Sequence, residues 1–434
     1  MISLNFREYE ILKENELYKI IIAKKEKEII IKCNNYYKSF NIQDLSLLFE
    51  YSSNTIDECY KFIINIFNKN KVFIKNRTDE SLSLIFEKSN GKQKIIVNLI
   101  SKSQNYNDFS KLTVFKDITN DSYTCFFNYT FILFKTINKS VYLLYINING
   151  SIICFDLYKQ QKVTEIKPIK KENTVALRHY LDEKNKTDLI IAISPTSVSL
   201  RIWDVKNWQC LYYINKAYNN NILYSACLLF ENNDKFVITS NCNYFGDSEP
   251  ILIFDFKGNK IKEINESNDA TLLVDVYYDK RNSKIYIITG NKSYLKSFDY
   301  QKNMLYHKYY ENYNGAHFKF IVHKKKEVIN LIESCEDGNI RIWNFHSGIL
   351  LNKIFVSQQS LYDITLWNDN ELLVGCQDKA IKIVDLENSQ IKKILRGHNN
   401  YVITIQKINH ILYGECLISH GFDKDQIKIW IFKD

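Results

Sequence analysis

The 8 histidines and 10 cysteines are the side chains of this 434-residue chain best equipped for metal binding or nucleophilic attack. A structural zinc site draws its ligands in close pairs, because four donors must converge on one ion. Here the cysteines are scattered singly, with no Cys-x-x-Cys, and no two histidines stand with an acid at ligand spacing on one element. His317 and His323 flank the apolar residues 318–322 and read as satisfied surface histidines. Cys154, Cys227 and Cys376 read as small core residues within strands. Phosphate chemistry needs a Gly-rich loop that brings backbone N–H groups to the ligand, and neither a Walker nor a Rossmann pattern is present. The Gly-x-Ser-x-Gly elbow of a serine hydrolase is also missing. Ser194-Pro195-Thr196-Ser197 reads as a loop and Asn219-Asn220-Asn221 as a turn. No catalytic residue, metal or cofactor is expected, and the chain reads as a non-enzyme.

What the sequence does carry is a repeat. A six-residue pattern recurs: apolar, any residue, apolar or small, aromatic, acid or Asn, apolar. Its aromatic slot holds Phe155, Trp203, Phe254, Phe298, Trp343, Val384 and Trp430. The copies are spaced 41 to 51 residues apart, and strand-like segments such as 331–335 and 371–376 lie between them. One copy alone would mean little in a β-rich chain. Seven at a near-constant spacing mark a repeat architecture, and a unit of this length with three or four short strands is one propeller blade.

These residues resemble the WD-repeat β-propellers over residues 111–434. Trp203-Asp204 is the dipeptide that names the family, and Gly397-His398 lies before Trp430 where the family has its Gly-His. Asp337 and Asp378 stand six residues before their aromatic slots, in the place of the family's tight-turn Asp. The resemblance implies a seven-bladed propeller. It also implies a buried hydrogen-bond tetrad in the last blade, built from His398, Ser419, Asp423 or Asp425, and Trp430. Only one Gly-His is present and Val384 replaces an aromatic, so the other blades are expected to rely on apolar packing. The family's members mostly bind proteins or peptides on the loop face around the channel. Aligned on Leu361 and Val402, that face would include Asn120, Asn173, Asn221, Asp269, Tyr362, Asn399 and Tyr401.

Each motif strand is the third of its blade. The last copy ends close to the final residue of the sequence, so the fourth strand of that blade is expected to be residues 112–118, closing the ring. Residues 1–100 have a different pattern, that of a small α+β domain. Residues 17–23 and 28–32 read as a hairpin, 42–51 as a helix, and 71–75, 82–87 and 94–100 as strands. Thr55-Ile56-Asp57-Glu58 has the spacing of a capping box, ahead of a helix face of Ile56, Tyr60, Ile63, Ile64 and Phe67. The polar stretch 101–110 reads as the linker.

Composition limits the function classes. Hydrophobic residues are 45% and charged residues 25%, which excludes wholesale disorder. With 3 Pro and 12 Gly, a collagen-like or Pro-rich chain is excluded too. No apolar run is long enough to span a membrane and no signal peptide is visible, so an intracellular, cytoplasmic protein with reduced thiols is expected, with cytoskeletal, ciliary or nuclear association open. The net charge of +9 is spread along the chain, and the short run Lys324-Lys325-Lys326 reads as a solvated hairpin turn. The reading that follows is a non-catalytic scaffold or adaptor for other proteins or peptides in a multiprotein assembly. The alternative, motivated by the charge, is a propeller that binds nucleic acid or anionic lipid.

Overall fold

The computed structural model describes residues 5–13, 16–25, 28–33, 36–40, 55–69, 71–77, 81–87, 94–101, 112–117, 131–138, 140–147, 149–157, 161–168, 174, 176–194, 199–214, 222–232, 234–242, 250–265, 271–291, 293–312, 315–410, 414–422 and 427–432. They form two compact units. One is Met1–Asp108 with Asp156–Gln161 and Asn409–Glu415; the other is Phe109–Phe155, Lys162–Ile408 and Cys416–Asp434.

The first unit is a seven-stranded antiparallel sheet with one described helix. In spatial order its strands are Asn5–Lys13, Glu16–Lys25, Glu28–Cys33, Tyr36–Phe40, Lys94–Ser101, Ser81–Glu87 and Lys71–Arg77. The helix, Ile56–Lys69, starts at Thr55, whose hydroxyl accepts the Glu58 N–H at 3.3 Å. It packs Cys59, Ile63 and Phe67 onto Tyr18, Ile20, Ile22, Ile29, Ile31 and Leu84, with Ile56, Tyr60 and Ile64 at the margin. The buried stripe therefore centres on Cys59 and Ile63. Strands Asn5–Lys13 and Tyr36–Phe40 extend the sheet beyond the expected hairpin. The expected helix over 42–51 and nearly all of the expected linker over 101–110 lie outside the described residues.

The second unit holds seven four-stranded antiparallel sheets, each a meander of consecutive strands except the last. The first runs Phe131–Lys135, Val141–Ile146, Ile152–Asp156, Gln161–Ile166, and the second Ala176–Asp182, Thr187–Ser194, Ser199–Asp204, Gln209–Ile214. The third is Ile222–Glu231, Asp234–Cys242, Ile251–Asp255, Lys260–Ile264, and the fourth Leu273–Asp279, Lys284–Gly290, Leu295–Asp299, Met304–Tyr309. The fifth is His317–Lys325, Val328–Cys335, Asn339–Asn344, Leu350–Phe355, and the sixth Leu361–Asn368, Glu371–Cys376, Ala380–Asp385, Gln390–Arg396. The seventh joins Val402–His410, Gly414–Gly421 and Ile427–Phe432 to Leu112–Asp117. Sheets of this form are the blades of a β-propeller.

Every copy of the sequence motif is a third strand, and the structure explains why those residue types recur. In the second to seventh sheets the register to the fourth strand slips at the aromatic slot, at Trp203, Phe254, Phe298, Trp343, Val384 and Trp430. A bulge there increases the local twist of the outer strand, while the slot side chain is buried in all six. The acid or Asn that follows makes the next turn. Asp204 Oδ1 accepts the Lys206 N–H at 2.8 Å, Asn344 Oδ1 accepts those of His346 and Ser347, and Asp385 Oδ1 accepts those of Glu387 and Asn388. One short motif thus specifies a core contact, a bulge and a turn.

The sheets are bonded to one another in a closed circuit. Asp188 Oδ2 of the second sheet accepts the Ile137 N–H of the first at 2.9 Å, and Asp182 pairs with Lys235 of the third at 2.6 Å. Ser225 Oγ of the third accepts the Val274 N–H of the fourth at 3.4 Å. Tyr309 of the fourth donates to the Phe345 carbonyl of the fifth at 2.7 Å, and Lys325 of the fifth pairs with Glu387 of the sixth at 2.6 Å. Asp363 Oδ2 of the sixth accepts the Ile405 N–H of the seventh at 2.7 Å. Gln406 Oε1 of the seventh then accepts the Leu133 N–H of the first at 2.5 Å.

The outer strand of the seventh sheet comes from far away in sequence: Leu112 lies opposite Phe432, Val114 opposite Trp430 and Asp117 opposite Lys428. Replacing residues 112–117 in the full chain by Gly-Ser repeats of equal length removes one ladder and its packing. The expected loss is on the order of several kcal/mol, against a total of about 5–15 for a folded domain. The altered chain should aggregate or melt well below the wild type in differential scanning calorimetry; an unchanged melting temperature would show that this strand does not hold the ring.

Candidate functional site

The inner strands of several sheets begin with an irregularity that the sequence does not display. Register slips between Leu223 and Ser225, between His317 and Lys319, and between Leu361 and Asp363. The extra residue is aromatic each time: Tyr224, Phe318 and Tyr362. A bulge re-aims the side chain it carries. Across the fifth, sixth and seventh sheets the result is a continuous row. Phe318 meets Tyr362 edge to face at 4.9 Å, Tyr362 stacks on Tyr401 at 6.1 Å, and Tyr401 stacks on Phe422 at 6.1 Å.

The backbone beneath the row is tied in the same way three times. The residue after the second strand donates its N–H to the carbonyl just before the inner strand: Glu336 to Ala316 at 3.0 Å, Gln377 to Ser360 at 2.9 Å and Phe422 to Tyr401 at 2.7 Å. In two sheets a side chain completes the tie. Glu336 Oε2 accepts the Ala316 N–H at 2.9 Å and Gln377 Oε1 accepts the Ser360 N–H at 3.2 Å. Glu336 and Asn399 are exposed, Phe318, Tyr401 and Phe422 are half-buried, and Tyr362 is 8% exposed. Burial, with the neighbouring Tyr401 and the Glu336 charge, pushes the Tyr362 hydroxyl up to about 12. Of the residues expected on this face, Tyr362 and Tyr401 stand in the row and Asn399 is exposed. Asn120, Asn173, Asn221 and Asp269 lie outside the described residues. Sequence reasoning missed Phe318, Phe422 and Glu336.

Two buried polar networks lie below, in the cores of the seventh and fifth sheets. In the seventh, His398 Nε2 is 2.6 Å from Ser419 Oγ, and the Trp430 indole donates to the same oxygen at 2.7 Å. Asp423 and Asp425 lie outside the described residues. In the fifth, Glu333 takes the place of the serine. Its Oε1 accepts the Trp343 indole N–H at 2.9 Å, and its Oε2 lies 2.8 Å from His317 Nδ1. The two networks are in register: Trp430 faces Leu417 and Trp343 faces Leu331, and the polar residue follows two positions later in each. The expectation of surface histidines at 317 and 323 is corrected here. They are 4% and 5% exposed: the slip at Phe318 breaks simple alternation along His317–Lys325, His317 is drawn in against Glu333, and His323 is buried opposite Asn330.

Cys335 completes a group with His317 and Glu333 whose donor atoms all lie within 4.8 Å of one another. Burial, reinforced by the Glu333 charge, pushes the Cys335 thiol well above its usual range. It therefore keeps its proton. Both Glu333 oxygens already accept bonds from the imidazole side and the indole, so the group fits a hydrogen-bonded core network. Among the described residues no helix is long and apolar enough to cross a membrane. The described cysteines are free thiols, all buried except Cys210.

The tie between the sixth and seventh sheets has a pH signature. Burial pushes the Asp363 carboxyl up to about 6, against Lys319 3.8 Å away and the N–H groups of Ile405 and Ile364. With the folded value raised, its contribution is fully present below about pH 4 and is lost as pH rises through about 6. Measured against Asp363→Asn, wild-type stability should fall by up to about 3 kcal/mol across that window; parallel stability curves would refute it. For the seventh-sheet network, His398→Ala should destabilise by about 1–3 kcal/mol, the cost of leaving buried partners unpaired. Calorimetry reads both, and an unchanged melting temperature for His398→Ala would count against the network.

No protein-family model matches the chain. Its curated relatives match in part. It is 29% identical over 94 residues to the WD repeat and SOCS box-containing protein 1 of Xenopus tropicalis, covering 21% of each chain. To the human protein of the same name it is 29% identical over 80 residues, 18% of this chain and 19% of that one. To the U3 small nucleolar RNA-associated protein 21 homolog of Schizosaccharomyces pombe it is 30% identical over 70 residues, 16% of this chain and 8% of that one. The chain thus spans about a fifth or less of the curated relatives it matches. In its repeat motif, its four-stranded sheets and these partial matches, it is similar to WD-repeat proteins.

Proposed function

We propose that the chain is a non-catalytic scaffold that binds a partner protein or peptide on the propeller face marked by Phe318, Tyr362, Tyr401 and Phe422. The observation that carries this reading is the aromatic row itself, raised out of three neighbouring sheets in part by bulges. Large aromatic side chains with few rotatable bonds lose little entropy on contact and bury much area, which is why they concentrate at binding hot spots. Exposed Asn399 and half-buried Asn400 supply adaptable hydrogen bonding at the rim of the row. The partial likeness to WD-repeat proteins supports an interaction role, and a place inside a larger intracellular assembly is part of the proposal.

The test compares affinity captures from cell extract, read by quantitative mass spectrometry. Wild-type protein should retain a defined set of partners. Asn399→Arg and Tyr401→Arg, which place a bulky charge on the face without entering the core, should lose that set at least tenfold while melting as the wild type does. Equal retention by wild type and variants would move the binding face elsewhere, and an empty wild-type capture would defeat the scaffold reading. Salt-sensitive retention on heparin, unaffected by either variant, would favour an electrostatic binder of polyanions instead.

A further inference from the structure

The aromatic row has an acid beside it whose charge no cation neutralises among the described residues. Glu336 is exposed and anchored at Ala316, two residues before Phe318 of the row, and its charge is felt at the Tyr362 hydroxyl. The nearby acids are paired. Asp337 binds Arg341 at 2.6 Å, Glu311 binds Arg341 and Lys353 at 2.6 and 2.9 Å, Asp378 binds Lys382 at 2.6 Å, and Asp363 faces Lys319 at 3.8 Å. Only one Glu336 oxygen is held, by the Ala316 N–H. That bond anchors the carboxylate at the start of the strand that carries Phe318, which reduces the side-chain freedom lost when a ligand arrives.

We infer that this corner of the face is a seat for an arginine side chain of the partner protein, packed against the half-buried Phe318 and Tyr401 rings with its guanidinium turned to the Glu336 carboxylate. The inference rests on the scaffold reading and names the partner's chemistry. The faces of aromatic rings are electronegative and attract a cation within about 6 Å. A guanidinium is flat, so it can lie along a ring and still present paired N–H donors to a carboxylate in its own plane, which an ammonium cannot do. The local arrangement must do this work against the whole molecule, whose net charge of +9 repels basic peptides at long range. A cationic peptide that binds is therefore bound by a site and not by the general field.

Fluorescence anisotropy on the full chain tests the seat. The probes are labelled hexapeptides of alternating arginine and glycine, the same peptide with citrulline for arginine, and the same with lysine. The arginine peptide should bind at least about tenfold more tightly than the citrulline peptide, which keeps the shape and loses the charge. The lysine peptide should fall between them. Glu336→Gln keeps an acceptor for the Ala316 N–H and removes the charge, and it should cost about tenfold in affinity for the arginine peptide alone. Tyr401→Leu keeps apolar volume and removes the ring, and it should do the same. Met304→Ser, an exposed site on the outer strand of the fourth sheet, should change nothing. Equal binding of arginine and citrulline peptides, full affinity in Glu336→Gln, or no binding of the arginine peptide would each overturn the seat. Because the extract captures score whole partners and not arginine, they can succeed while the seat fails, which separates the two conclusions.

Discussion

A four-stranded sheet has two edges, and in a propeller the inner edge of each sheet lies at the central channel, beside the inner strands of its neighbours. The N–H and C=O groups along that edge have no strand to pair with, and a buried backbone group left unpaired costs about as much as a lost hydrogen bond. In this chain the neighbouring sheet supplies single side-chain acceptors instead. Ser225 reaches Val274, Asp363 reaches Ile405 and Gln406 reaches Leu133. Arg178 adds a donor of the other kind, giving one N–H to the Val274 carbonyl at 2.8 Å and another to Ser225 at 3.1 Å. Each such bond fixes one sheet relative to the next. Around a closed circuit the relative placements must be mutually consistent, and the bond that Leu133 N–H donates to Gln406 completes it.

The same constraint explains why the sheets tolerate such different cores. The seventh sheet carries His398, Ser419 and Trp430, and the fifth carries His317, Glu333 and Trp343. The sixth has Val374 and Val384 at the corresponding places, both wholly buried, and no polar network. A fully satisfied polar network and a well-packed apolar one can hold the same strands at similar cost, whereas a half-satisfied network is worse than either. Substitution at these positions is consequently coupled. Glu333 is acceptable because both His317 and Trp343 face it, and Val374 because Val384 does not ask for an acceptor. Gly338 marks a further fixed point: its φ of +76° and the Ser357 carbonyl oxygen lying against the place where a side chain would begin leave room for glycine alone.

How much of this was legible in the sequence follows from where each instruction resides. The repeat was legible because core contact, bulge and turn are all encoded within six consecutive residues, as in Leu200 to Val205. The helix at Ile56–Lys69 was legible because its cap and its face are local. The strand Tyr36–Phe40 was missed: it is five residues long and opens with two adjacent tyrosines, so its residue types do not alternate. Phe318 was read as the first residue of an apolar strand. A bulge is a property of pairing, and nothing in residues 317–320 alone says that one of them is left over. Glu333 was missed for the same reason. An acid inside a strand looks like a solvent-facing residue until His317, 16 positions earlier, and Trp343, 10 positions later, are brought against it.

The bulges also separate two demands that would otherwise compete. A residue within the ladder alternates between core and solvent, so changing it changes the packing of the sheet. An extra residue at a bulge stands outside that alternation. Tyr224, Phe318 and Tyr362 can therefore vary with less effect on register, while Leu223, His317 and Leu361, which precede them, stay buried. Rigid sheets beneath hold whatever the bulge presents in a fixed position, which lowers the entropic cost of binding without adding a contact. A ring closed by side-chain bonds, with part of its aromatic row set on leftover positions, can vary that row while keeping what holds it together.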